Sequence, residues 1–136
     1  MEDTFRAAYD RHFPGMQDNP LCPIRWMLDR IGERWSLYVL CHLHDNGPSR
    51  FSEFTKAIPN ISNRMLTLTL EKLSENNLIE RQDGALSIYT LTDLGRSLMI
   101  PMRSLVDWIV VNARELDAGR KKFGLPPLDL PPGALD

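Results

Sequence analysis

The sequence predicts a mainly α-helical chain with one small β-hairpin, placed between a fourth helix and a long last one. Two observations carry this. Apolar residues recur at steps of three and four in several segments separated by Gly, Pro and Asn breaks, and only residues 78–91 have β character, around the turn dipeptide Asp83-Gly84. The composition agrees: 136 residues, 43% hydrophobic and 25% charged, make one ordinary globular domain.

Each element has its own warrant. Residues 1–22 are weakly patterned, with Phe5, Tyr9 and Phe13 spaced by four, so that a short helix can pack by one edge. Pro23 stands at a first helical position, Ile24, Met27, Leu28 and Ile31 share a face, and Gly32 stops the helix. A second apolar helix spans about 34–45, with Trp35, Val39, Leu40 and Leu43 inward, and ends at Asn46-Gly47-Pro48. Ser52 is the expected cap of a short third helix through Ile58. Pro59-Asn60 then breaks the chain, and Ser62 caps a fourth helix whose inward stripe is Leu66, Leu70 and Leu73. Residues 78–81 and 85–91 form the hairpin. Thr92 caps the last helix, which carries Leu94, Leu98, Met102, Leu105, Ile109, Ala113 and Leu116 at steps of three and four and ends at Gly119. Beyond Phe123, four prolines in thirteen residues make a loose tail.

Composition excludes several functions. Two cysteines are too few for a secreted disulfide framework, and no signal-peptide pattern opens the chain, so a cytoplasmic location is expected. The stretch 98–111 is interrupted by Pro101, Arg103 and Asp107 and falls short of the ~20 residues of a membrane span, so no membrane partner is expected. There is no Gly-rich phosphate loop, and Cys41, His42 and His44 lack further ligands at metal-site spacing; neither an enzyme nor a cofactor is expected. The formal charge of −2 gives no overall basic footprint.

The order of elements is that of a helix-turn-helix followed by a wing. A helix in the fourth position can enter the major groove, about 12 Å wide, with its N-terminal side chains on base edges, while a hairpin reaches an adjacent groove. Double-stranded DNA is therefore the expected partner.

The motifs Cys22-Pro23, Arg34-Trp35, Gly47-Pro48-x-Arg50-Phe51-x-Glu53-Phe54, Ile58-Pro59-x-Ile61-Ser62, Leu78-Ile79-x-Arg81 and Tyr89-x-Leu91-Thr92-x-x-Gly95 occur in one order with short gaps. Over residues 20–112 the chain resembles the HxlR-type winged helix-turn-helix transcriptional regulators. The resemblance implies a homodimer on a partly palindromic operator, with dimer contacts from the N-terminal region and the long C-terminal helix. It gives an arm at 1–21, a DNA-binding core at 22–91, a dimerisation helix at 92–119 and a flexible tail at 120–136. The residues agree on one point: around Asp107 the helix is apolar on nearly every side, so Met102, Leu105, Trp108, Ile109 and Val110 are the expected dimer contacts.

On the fourth helix Arg64 is the candidate base reader, since its planar fork matches guanine O6 and N7. Ser62, Asn63, Thr67 and Lys72 are candidate phosphate or secondary contacts. Leu68, where the family often has a polar residue, either meets a thymine methyl or packs sideways. Arg50 and Arg81 are phosphate candidates carried over from matching positions; surface ion pairs with Glu53 or Glu80 are the alternative. The wing departs from the family, being short and without Lys or Arg at its tip, so a shallow salt dependence is expected.

Cys22, at a helix start with Arg25 within a turn, has conditions that lower a thiol pKa. In several relatives a cysteine at the matching position senses oxidants or electrophiles; a structural, half-buried cysteine is the alternative. The competing functional reading is a winged-helix module for protein–protein contact, drawn from the acidic pI, the plain wing and Leu68. The sequence names no small-molecule effector and no operator.

Overall fold

The computed structural model describes residues 4–15, 19–84 and 86–130. Parts of the expected arm (1–3 and 16–18), Ala85 of the expected hairpin and residues 131–136 of the expected tail lie outside the described residues. The elements follow in the order α1 (Phe5–His12), α2 (Pro23–Ile31), α3 (Arg34–Asn46), β1 (Ser49–Arg50), α4 (Phe51–Ala57), α5 (Asn63–Glu75), β2 (Ile79–Gln82), β3 (Ile88–Leu91) and α6 (Asp93–Lys122). The strands form one antiparallel sheet in the order β1-β3-β2.

One core joins these elements. Val39, Leu40 and Leu43 of α3, Phe54 of α4 and Leu66, Leu70 and Leu73 of α5 are buried with Leu78, Ile79, Leu91 and Met99. Each such side chain contributes roughly 1.5–3 kcal/mol of transfer free energy. Phe54 anchors the centre: its ring lies 5.0 Å from that of His42 and 6.1 Å, edge-on, from that of Tyr89. A polar relay runs beside it. The Ser49 hydroxyl donates to Gly47 O (2.9 Å), which leaves its oxygen to accept from His42 Nε2 (3.1 Å) and leaves His42 Nδ1 to accept from Asn46 Nδ2 (3.3 Å). The relay fixes α3 to β1, and so to the wing.

The caps expected at Ser62 and Thr92 are formed, with their hydroxyls accepting from Met65 N (3.0 Å) and Gly95 N (2.9 Å). The third-helix cap is corrected. α4 starts at Phe51 with Arg50 as N-cap, because Glu53 Oε1 accepts the Arg50 N–H (3.1 Å) and because β3 pairs with Ser49 and Arg50, an edge strand the sequence did not predict. The hairpin differs too: Gln82 pairs with Ile88, so the connection covers 83–87 rather than a two-residue turn at Asp83-Gly84. α5 ends in a left-handed Asn77 (φ 61°), with Leu78 N bonded to Leu73 O at 3.0 Å.

The last helix passes through Gly119 and stops at Lys122. Gly124 (φ 70°) closes it, its N–H reaching Lys121 O (3.1 Å) while Leu125 N reaches Arg120 O (2.9 Å). Its apolar stripe is only partly covered by this chain. Gly95, Met99, Met102 and Ala113 are buried, whereas Leu94, Leu105, Ile109 and Leu116 are exposed. The Pro23–Ile31 helix likewise has no buried residue, and its Leu28 is exposed. Phe5 is 98% exposed, so the expected packing edge of α1 is not formed there, and the Tyr9 side chain lies outside the described residues.

Candidate nucleic-acid interface

The turn between α4 and α5 is built by Pro59, left-handed Asn60 (φ 66°), Ile61 and Ser62. Pro59 ends α4 because it cannot continue the hydrogen-bond ladder, and Asn tolerates a positive φ better than most side chains. α5 then buries Leu66, Thr69, Leu70 and Leu73 and exposes Asn63, Arg64, Thr67, Leu68, Glu71 and Lys72. A helix with one apolar stripe in the core and its first turn in solvent presents a rigid, polar N-terminal edge.

The candidate side chains fall into two groups. Among the described residues neither Arg50 nor Arg64 has an ion-pair partner, so both guanidinium groups face solvent unengaged. The others are engaged. The Ser62 oxygen holds the helix cap, and the Thr67 hydroxyl donates to Asn63 O (2.9 Å), which commits its proton and leaves its methyl and lone pair outward. Lys72 Nζ lies 3.7 Å from Glu33 Oε1, a link back to the start of α3. Arg81 sits within the wing, its Nε 3.0 Å from Asp83 Oδ1 and its Nη2 donating to Ser87 Oγ (2.9 Å); the ion pair is to Asp83 and not to Glu80, the alternative partner. Both Arg81 and Asp83 are well exposed, so the pair is worth about 0–1 kcal/mol and is exchangeable.

Leu68, 38% exposed, borders a depression that Met65, Trp35 and Lys72 also line. Met65, 39% exposed, was missed by sequence reasoning; its one signal is an apolar pair with Leu68 at a step of three, off the buried stripe. The wing tip carries an exposed Leu86 and no basic side chain.

The expected dimer contacts also divide. Leu105, Trp108, Ile109 and Val110 are 44–55% exposed, and Val111 is 78% exposed. Met102 is corrected: it is 5% exposed, buried inside its own chain between α6 and α3, and cannot lie on an open seam. Cys22 is fully buried, not half-buried. It occupies the N-cap of α2, yet its side chain makes no capping hydrogen bond there. Burial pushes the Cys41 thiol pKa above its usual 9.0, with Asp45 adding to the shift. Among the described residues no helix is long and apolar enough to cross a membrane, and no three His, Cys, Asp or Glu side chains are grouped to hold a metal ion.

Comparison with known proteins adds the family. The sequence model of the HxlR-like helix-turn-helix family matches residues 30–117. The HTH-type transcriptional regulator YdeP of Bacillus subtilis is 41% identical over 91 residues, which cover 64% of this chain and 70% of that protein. The reduced form of the transcriptional regulator YodB from the same organism superimposes with a TM-score of 0.60 at 35% identity, over 65% of this chain and 91% of that one. The reduced form of the redox regulator HypR gives 0.64 at 32% identity, over 71% of this chain and 98% of that one. The chain belongs to the HxlR-like helix-turn-helix family of transcriptional regulators.

Proposed function

We propose that this protein is a sequence-specific DNA-binding regulator that acts as a homodimer on a partly palindromic operator. The observation that carries the reading is the solvent-facing N-terminal edge of α5, where the unengaged Arg64 stands beside Asn63 and Thr67. In this reading Arg64 forks onto a guanine edge, Asn63 and the Thr67 methyl contact neighbouring bases, and Leu68 supports the helix against α3. Ser62, Arg50 and Lys72 serve the phosphates, and Arg81 joins them by exchanging Asp83 for a phosphate oxygen.

The dimer is proposed to close over Leu105, Trp108, Ile109 and Val110, with Val111 beside them, a contiguous apolar stretch too large for solvent. Residues 50–81 carry five basic and four acidic residues, a net +1 within a chain of net −2, so the acidic excess sits elsewhere. Two half-sites held together then supply affinity that one weakly charged face does not. A gel shift of the purified protein on random-sequence DNA at low salt tests the reading: retarded complexes at micromolar protein are expected, and their absence with folded protein refutes it.

Redox control through Cys22 belongs to the same proposal. It draws on the place of this thiol at the α2 N-cap and on the redox regulator HypR among the relatives. Because the thiol is fully buried, oxidation requires the chain to open around it, and in this proposal that opening alters operator contact. Operator affinity measured before and after diamide is expected to differ in the wild type and not in Cys22→Ser; equal responses of the two proteins refute the switch.

A further inference from the structure

Between α3 and the first half of α6 lies a cavity of about 480 Å³, open to solvent. Its volume is in the range of small-molecule sites, about 300–1,000 Å³. Leu37 and Cys41 form one wall, and Met99, Met102 and Val106 form the other. Cys41 behaves there as an apolar wall, since burial keeps its thiol protonated well above neutral pH.

The rim is charged. Arg96, Arg103 and Asp45 line it, Asp45 already approached by His44 Nδ1 at 3.2 Å and each arginine paired with a carboxylate outside the cavity. Arg96 is tied down, since its Nη1 donates to Leu91 O (3.0 Å), but Arg103 is exchangeable. Arg103 Nε pairs at 3.0 Å with Asp107, with side chains 79% and 60% exposed, and Arg96 pairs with Asp93, which is 97% exposed. Exposed pairs of this kind are worth about 0–1 kcal/mol, so an incoming anion can replace the carboxylate.

We infer that this cavity binds a small organic monoanion, an apolar body bearing one acidic group, with the body between Met99, Met102 and Leu37 and the acid at Arg103. The exchangeable Arg103 selects this occupant: an apolar floor alone takes any lipophile, but a guanidinium at the edge whose partner Asp107 is 60% exposed gives an acidic group a place to pair. The position gives the site leverage. α3 packs directly on α5, and α6 bears the exposed apolar stretch, so a ligand between α3 and α6 bears on how the two are set relative to each other. That regulatory consequence rests on the proposed DNA-binding dimer; the binding itself does not.

The test separates the two. The probe is 1-anilinonaphthalene-8-sulfonate, an apolar body with one acidic group, titrated by fluorescence against its uncharged parent N-phenyl-1-naphthylamine. One saturable site per chain is expected. Arg103→Gln should weaken the sulfonate about twofold to fivefold and leave the parent unchanged, and Val106→Phe, which fills the cavity, should weaken both. Binding indifferent to both substitutions refutes the site and places the probe on the open α6 face. Sulfonate binding that rises as the protein is diluted also refutes it, because a second copy of the chain then covers the cavity. With binding established, the effect of the probe on DNA retardation reports the regulatory consequence separately.

Discussion

Replacing Gly95 by alanine puts a methyl group where the first turn of α6 meets the backbone of Leu78. A Cβ built on Gly95 runs into the Leu78 carbonyl oxygen and comes within 3.2 Å of a Leu91 methyl. The oxygen cannot step aside. It accepts the Thr92 N–H (3.1 Å), the Leu78 N–H is held by Leu73 O (3.0 Å), and the Thr92 hydroxyl donates to Asn77 O at 2.7 Å. Overpacking a core costs about 1–3 kcal/mol when side chains give way, and the upper end applies where the obstacle is backbone. Alanine returns about 1 kcal/mol of helix propensity, leaving a net loss of about 2 kcal/mol or more. With a urea slope of about 1–3 kcal/mol per molar, the unfolding midpoint should fall by about 1 M when both proteins are compared at one concentration. A midpoint equal to or above wild type refutes the reasoning. The same bonds seat the wing against α6, so the variant also tests whether one backbone junction ties the proposed DNA-binding core to the proposed dimer helix.

Four further outcomes are expected. Arg64→Ala should weaken operator binding by about 1–3 kcal/mol and relax base preference at one position of each half-site; an unchanged footprint removes its assigned role. Trp108→Glu should shift the mass measured by light scattering from dimer to monomer at micromolar concentration, whereas a mass unaltered by the charge places the seam elsewhere. Asn77→Gly should hold or raise stability and Asn77→Val should lower it by about 1–2 kcal/mol, because the αL cap excludes a β-branched side chain, and chemical denaturation distinguishes the two. In Cys22→Ser, alkylation of Cys41 by iodoacetamide should rise with pH only above the range of free cysteine. The sign follows from the raised folded pKa: the protonated thiol is favoured in the fold, so stability from this group is complete below the unfolded value of 9.0 and is lost as pH rises through the folded one. Alkylation that tracks free cysteine contradicts the burial.

What the sequence disclosed was local. Ser62 and Thr92 were legible as caps because a capping hydroxyl acts within three residues, and Leu66, Leu70 and Leu73 because a helix stripe repeats every turn. Strand β1 was not, since two residues after Gly47-Pro48 have no periodicity to detect and exist as a strand only because Tyr89 and Ile88 pair with them. Arg81 shows how register decides a partner: strand alternation sends Glu80 to the opposite face and Asp83 to the same one. Met102 and Leu105 belong to one apolar repeat, yet the first is buried and the second 46% exposed, a difference set by which neighbours face each turn and not by the repeat itself. The cavity beside Met102 had no sequence signal, because its walls come from two helices about sixty residues apart.

The central claim is that the α5 edges of two chains read DNA together. Selection of sites bound by the purified protein from a random double-stranded pool tests it most directly. Enrichment of a partly palindromic motif whose half-sites are centred one duplex turn apart, roughly 34 Å, is expected. Recovery of no motif by folded protein at micromolar concentration and low salt, or of a single unrepeated site, would contradict it.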